Sequence, residues 1–193
     1  MRLKVVGIVF ALAAFVAPAH AGNWSIGANL GVSFVSPDGG DMVTVIGWPS
    51  GSGVIPIAAS PGLRVGFVGA NPEHEFYVDT GLQIITGSGS TLRSAQITGN
   101  YQYNFTSSGS TAPYLTGGIG ILSFGESDGA SEGAVSPVFG GGVGVRHKMG
   151  NGNGTLRGEA RFDHTNEGKD SGDVLFPAQN TFTIKLGFDL WGK

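Results

Sequence analysis

The last segment of the chain alternates with a period of two. Between Asn180 and Leu190, Phe182, Ile184, Leu186, Phe188 and Leu190 are large and apolar, and the residues between them are polar or glycine. Successive side chains of a strand point to opposite faces, so this segment reads as a strand with one apolar and one polar face. The same pattern runs through Trp24 to Ser36, where Trp24, Ile26, Ala28, Leu30, Val32 and Phe34 alternate with serine, glycine and asparagine. It returns in Ala95 to Phe105, a ribbon of Ala95, Ile97, Tyr101, Tyr103 and Phe105 against Gln96, Thr98, Asn100, Gln102 and Asn104. Shorter or less regular stretches add Leu63 to Val68, Phe76 to Ile85, Tyr114 to Phe124, Val135 to Lys148 and Leu156 to His164. The pattern predicts eight strands, most of them of about ten residues, the length a tilted strand needs to cross a bilayer. Tyr114 to Phe124 breaks parity, because Leu115, Ile119 and Ile121 share one face and Leu122 and Phe124 the other. A bulge between Ile121 and Leu122 would reconcile the two halves.

The connections sharpen this picture. Ala70 to Glu75, Thr106 to Ala112 and Met149 to Gly154 are short and rich in turn residues; Pro37 to Gly53, Ser127 to Ala134 and Thr165 to Ala178 are longer, and Thr86 to Arg93 is intermediate. Barrels of the bacterial outer membrane have short periplasmic turns and long extracellular loops. The expected fold is therefore all-β: an eight-stranded antiparallel transmembrane β-barrel in up-and-down meander order, with both termini in the periplasm.

The start of the chain fits export. Arg2 and Lys4 precede an apolar run from Val5 to Val16, and Ala19-His20-Ala21 is a small-x-small cleavage box. Residues 1–21 are expected to be a cleaved signal peptide and residues 22–193 the barrel domain. There is no cysteine, which excludes disulfides, thiolate metal sites and cysteine nucleophiles. Of 11 basic and 14 acidic residues, the leader carries two basic ones, leaving 9 against 14 and a net charge of −5. An acidic mature chain offers no broad basic field, so nucleic acid is not an expected partner. Glycine, at 35 of 193 residues, recurs inside the strand-like runs, which fits a small, strongly coiled barrel better than a flexible linker.

The leader, Tyr101-Gln-Tyr103-Asn-Phe105, Ala112-Pro113-Tyr114-Leu115, Arg157-Gly-Glu159-Ala-Arg161-Phe162-Asp163-His164 and the closing strand together resemble the OmpA/OmpX-like eight-stranded outer-membrane β-barrels of the porin superfamily. The resemblance covers essentially the whole mature chain. It implies location in the bacterial outer membrane, contact with outer-membrane lipid and lipopolysaccharide, and recognition by the barrel-insertion machinery during biogenesis. Proteins of that family usually end on an aromatic residue. Here Gly192 and Lys193 follow Trp191, so an internal Phe188 or Trp191 would serve as that signal.

Strand parity nominates a lumen charge network of Arg64, Asp79, Arg146, Arg157, Glu159, Arg161, Asp163, Lys185 and Asp189. Near balance of sign suggests a salt-bridged plug, since an unpaired buried charge is costly and a barrel of eight strands is filled by its own side chains. The outer loops are acidic, with Asp38, Asp41, Glu126, Asp128, Glu132, Glu167, Asp170 and Asp173, partly offset by Lys169 and Arg93. Such carboxylates could gather divalent cations at lipopolysaccharide phosphates, but no EF-hand spacing occurs. Solvated loop charge is the expectation, with no dedicated metal and no cofactor. Trp24, Trp48, Tyr101, Tyr103, Phe188 and Trp191 are candidate membrane-interface aromatics.

The first outer loop is unusually apolar, with Met42, Val43, Val45, Ile46, Trp48, Val54, Ile55 and Ile57. It is expected to extend the flanking strands as a hairpin, ahead of lying on the interface or binding a partner by its edge. Phe162-Asp163-His164-Thr165-Asn166 resembles the histidine–serine segment of outer-membrane lipid A deacylases, but that family places one residue between histidine and hydroxyl. His164 and Thr165 are adjacent and should face opposite sides of the strand. The sequence thus points to a non-enzymatic structural or surface-interaction barrel that presents its loops, candidate sites for an extracellular ligand. A narrow porin or hydrophobic-solute channel is the alternative, and a lipid A-modifying enzyme stands third.

Overall fold

The structure, a computed structural model, describes residues 23–46, 62–69, 71–87, 90–105, 109–126, 133–150, 153–170 and 173–192. The expected signal peptide lies outside them. Among the described residues eleven strands are formed: β1 (Asn23–Pro37), β2 (Val43–Ile46), β3 (Gly62–Val68), β4 (His74–Gly87), β5 (Ser90–Asn104), β6 (Thr111–Glu126), β7 (Ala134–Met149), β8 (Gly154–Thr165), β9 (Gly168–Asp170), β10 (Asp173–Phe176) and β11 (Gln179–Gly192). Eight of them build the barrel, in the order β11-β8-β7-β6-β5-β4-β3-β1, and β11 closes on β1 along a ladder from Trp24↔Gly192 to Pro37↔Gln179. Every pairing is antiparallel, and each barrel strand pairs with the barrel strands before and after it in the chain, with β11 and β1 closing the ring. This is the meander that period-two segments joined by short turns should give.

Three strands exceed the expected eight. β2 turns back along the upper part of β1, pairing Val35 with Val43 and Val32 with Ile46, on the edge whose lower part β3 occupies. The first outer loop therefore begins as a strand extension; its Trp48, Val54, Ile55 and Ile57 lie outside the described residues. β9 and β10 form a separate two-stranded hairpin inside the long connection between β8 and β11. Positive φ at Gly39 (77°) and Gly150 (46°) lets the chain reverse after β1 and β7, a conformation that side chains with a Cβ rarely adopt.

The bulge expected in β6 is absent. Its register against β5 runs unbroken from Leu92↔Glu126 to Asn104↔Tyr114, and against β7 from Thr111↔His147 to Phe124↔Ala134. Tyr114, Thr116, Leu122 and Phe124 all face inward on one parity, and Leu115 and Ile119 face out. Leu122 and Phe124 looked misplaced only because the lumen was assumed polar along its full length.

Burial is inverted relative to a water-soluble protein. Ile119 is 74 % exposed and Leu186 70 %, with Leu30, Leu63, Val65, Val143 and Ile184 in the same belt. The buried set is mostly polar or charged. An apolar exterior around a polar, internally hydrogen-bonded lumen is what a hydrocarbon solvent demands, because a closed barrel leaves no unpaired strand edge.

Candidate functional site

The lumen near the short turns is organised around Glu75. Parity places it inward with Tyr77 and Asp79, because β4 already begins at His74. The short connection was expected to run through Glu75, so this carboxylate was missing from the nominated network; extending the alternation of Tyr77 and Asp79 by two residues would have found it. Glu75 accepts from Arg64 at 2.5 Å and from Arg146 at 3.3 Å. Gln102 joins them, accepting from Arg64 at 3.0 Å, donating to Glu75 at 3.3 Å and donating to Asn104 at 2.7 Å. The Arg64 guanidinium also lies 3.4 Å from the Tyr77 ring centroid. A weakly hydrated planar cation suits that position better than an ammonium would.

Arg157 grips Asp189 with two nitrogens, at 2.5 and 3.0 Å, and donates to Asn29 at 2.8 Å. Such a fork is the strong form of the Arg–carboxylate contact. Asn29 in turn donates to Asp79 at 3.2 Å. Lys185 lies 3.5 Å from Asp79 and 3.6 Å from Glu159, and Tyr114 donates to Glu159 at 3.0 Å. Arg161 places its Nε 2.8 Å from both oxygens of Asp163. With Glu75 included, the network among the described residues holds five cations (Arg64, Arg146, Arg157, Arg161, Lys185) and five carboxylates (Glu75, Asp79, Glu159, Asp163, Asp189). Charge balance limits the cost of burial, since each ion keeps a partner after losing water.

Glycines make room for these side chains. A Cβ on Gly144 would collide with the Tyr114 ring, one on Gly140 with Asp163, and one on Gly187 with Arg157 and Asn29. The terminal nitrogens of Arg161 have no protein partner and border a cleft, about one water in size, beside Asn29, Gln96, Thr98 and Lys185.

At the long-loop end the chemistry changes. Leu122, Phe124, Ala134 and Val138 on β6 and β7 turn inward and pack with Phe176 of β10, which is 1 % exposed. Phe176 meets Phe124 edge-on, with ring centroids 6.1 Å apart. Parity alone puts Leu122 and Phe124 on this inward face, and only the expected bulge would have turned them out.

Among the loop acids, Asp38, Asp41 and Asp173 are exposed, and Glu167 pairs with Lys169 at 2.5 Å on the surface. The side chains of Glu126 and Asp170, and the whole of Asp128 and Glu132, lie outside the described residues. The described residues hold no group of three or more His, Asp or Glu arranged to bind a metal ion. Of the aromatics, Trp24 and Tyr101 are exposed on the outer face, and Tyr101 is joined there by Tyr103, Phe76 and His74 in a cluster at the short-turn end. Phe188 keeps the outward parity of the closing strand. Trp191, partly buried, takes the inward parity of Asp189 and donates to Thr155 at 2.8 Å. Trp48 lies outside the described residues.

His164 and Thr165 take opposite faces. The imidazole is within 2.8 Å of Asn180 Oδ1 and 3.2 Å of Asn166 Oδ1, against the Phe139 ring. Thr165 is buried on the lumen side. The pair does not form a base–nucleophile contact.

No protein-family model matches the chain, and no curated protein matches it in sequence. Solved structures do share the fold. Neisserial surface protein A superimposes with a TM-score of 0.65 at 15 % identity, over 89 % of this chain and 99 % of that one. A major outer membrane protein from Thermus thermophilus gives 0.51 at 13 % identity, over 90 % and 100 %. With its apolar belt and its ion-paired lumen, the chain is a closed eight-stranded β-barrel that shares its fold with these outer-membrane proteins.

Proposed function

We propose that this barrel is a non-enzymatic structural or surface-interaction protein, exported by the leader at 1–21, which holds acidic loops at the cell surface on a closed scaffold. The observation that carries this reading is the lumen: five cations and five carboxylates interlock there among the described residues, and the cleft beside Arg161 has room for about one water. A scaffold of this kind contributes rigidity, and specificity then resides in the loops. The partners that fit are lipopolysaccharide and outer-membrane lipid around the belt, the insertion machinery during assembly, and an extracellular ligand at the loops.

The narrow-pore reading draws its support from the cleft at Arg161, whose free nitrogens would line a water path. Planar-bilayer conductance of the refolded barrel, with heat-modifiable gel mobility as the folding control, separates the two. The expected result is silence from folded protein. Steady single-channel conductance would replace the scaffold reading with the pore.

A further inference from the structure

We propose that the β9–β10 hairpin is a hinged lid over the long-loop mouth, latched chiefly by the buried ring of Phe176. Three observations carry this, and none depends on what the loops bind. First, the hairpin pairs with no barrel strand and forms its own two-stranded sheet. An isolated hairpin of that size is marginal in water, so it needs an anchor outside itself. Second, the anchor is confined to the end of β10: Phe176 is 1 % exposed against Leu122, Phe124, Ala134 and Val138 with Leu175 partly buried beside it, whereas Val174 is 53 % exposed and Lys169 and Asp173 stand in solvent. Gly168 on the facing strand lies so close to the Phe176 ring that no Cβ would fit.

Third, the feet of the hairpin are fastened to the barrel independently of that ring. Asn166 N–H donates to Pro137 O at 3.2 Å, the Ser136 hydroxyl donates to Asn166 O at 2.6 Å, and Asp38 N–H donates to Ala178 O at 2.8 Å. The body can therefore lift about fixed feet once the ring leaves its seat. Opening bares an apolar wall at the long-loop end, and the ion-paired layer below stays shut.

The absence of cysteine permits a direct test. Val138→Cys places a thiol beneath Phe176, and Ser25→Cys places one at the opposite mouth, where Ser25 is also fully buried. Each is introduced alone, and again together with Phe176→Ala, into protein folded in detergent micelles and checked by heat-modifiable mobility. Labelling by a charged, water-soluble thiol reagent is then timed. Removing the ring should speed labelling at position 138 by about tenfold or more, the scale expected when a buried aromatic anchor is lost from a locally opening unit. Labelling at position 25 should not change. Equal rates at position 138 with and without the ring would overturn the lid, and so would a parallel rise at position 25, which would mean general loosening of the barrel.

Discussion

The two ends of the lumen are closed by opposite chemistries. At the short turns, Glu75 is shared by Arg64 and Arg146, and Gln102 and Asn104 complete an ion-paired, hydrogen-bonded seal made by the barrel wall itself. At the long loops, a phenylalanine carried in by a loop hairpin packs on an apolar wall. The first seal is directional: each member fixes its neighbour, and one lost charge strands its partners. The second is non-directional and rests on area removed from water, so a local segment can make or break it without disturbing the strands. The barrel thus has a permanent end and a releasable end.

The largest expected effect comes from the permanent end. Glu75→Gln keeps shape but leaves Arg64 and Arg146 without a counter-charge, and breaking a buried ion pair typically costs about 3–5 kcal/mol. The urea midpoint of the folded barrel in detergent should fall accordingly. An unchanged midpoint would show that the lumen is wet enough to solvate both guanidinium groups, and the charge-balance argument would fail. Next in size is Gly144→Val, which pushes into the Tyr114 ring and threatens its bond to Glu159. Overpacking of this kind costs about 1–3 kcal/mol. Gly117→Ala on the lipid side, whose nearest foreign atom would be 3.8 Å away, should leave the midpoint in place.

These glycines mark where sequence reading stops. Period-two alternation in β1, β5 and β11 is unambiguous, because each pairs an apolar with a polar face, and from it the barrel is legible; parity on β3, β4, β7, β8 and β11 gives nine of the ten inward charges. Glycine carries no such signal: nothing in Gly140 to Gly144 says that two of them face Asp163 and Tyr114 and one faces lipid. Glu75 was hidden by the turn residues before it. Leu122 and Phe124 were read correctly as sharing a face opposite Ile119, but the rule that inward means polar turned a regular strand into a bulged one. Phe176 was out of reach, since its partners lie on β6 and β7 across a long connection and only the folded chain brings them together.

Phe176→Ala reverses the ranking between global and local readouts. Thiol access at position 138 should rise sharply, while the urea midpoint should move by less than about 1 kcal/mol, because the hairpin opens as a separate low-stability unit. Gly168→Ala should act in the same direction more weakly, by displacing the ring rather than deleting it. If either substitution lowered the midpoint as far as Glu75→Gln does, the two ends would not differ in kind and the releasable seal would be part of the cooperative core.

The smallest effect tests whether charge at the releasable end matters. Glu167 and Lys169 sit at the foot of the hairpin, 2.5 Å apart, with side chains 48 % and 51 % exposed. By distance the pair equals Arg64–Glu75, which is buried. Exposure separates them: water already solvates both ions, so an exposed pair is worth at most about 1 kcal/mol and salt screens it. Glu167→Gln should therefore leave both the midpoint and the labelling rate at position 138 unchanged at moderate ionic strength. A clear acceleration of labelling would mean that the surface ion pair, and not the phenylalanine alone, latches the lid, and the long-loop end would then share the electrostatic logic of the other.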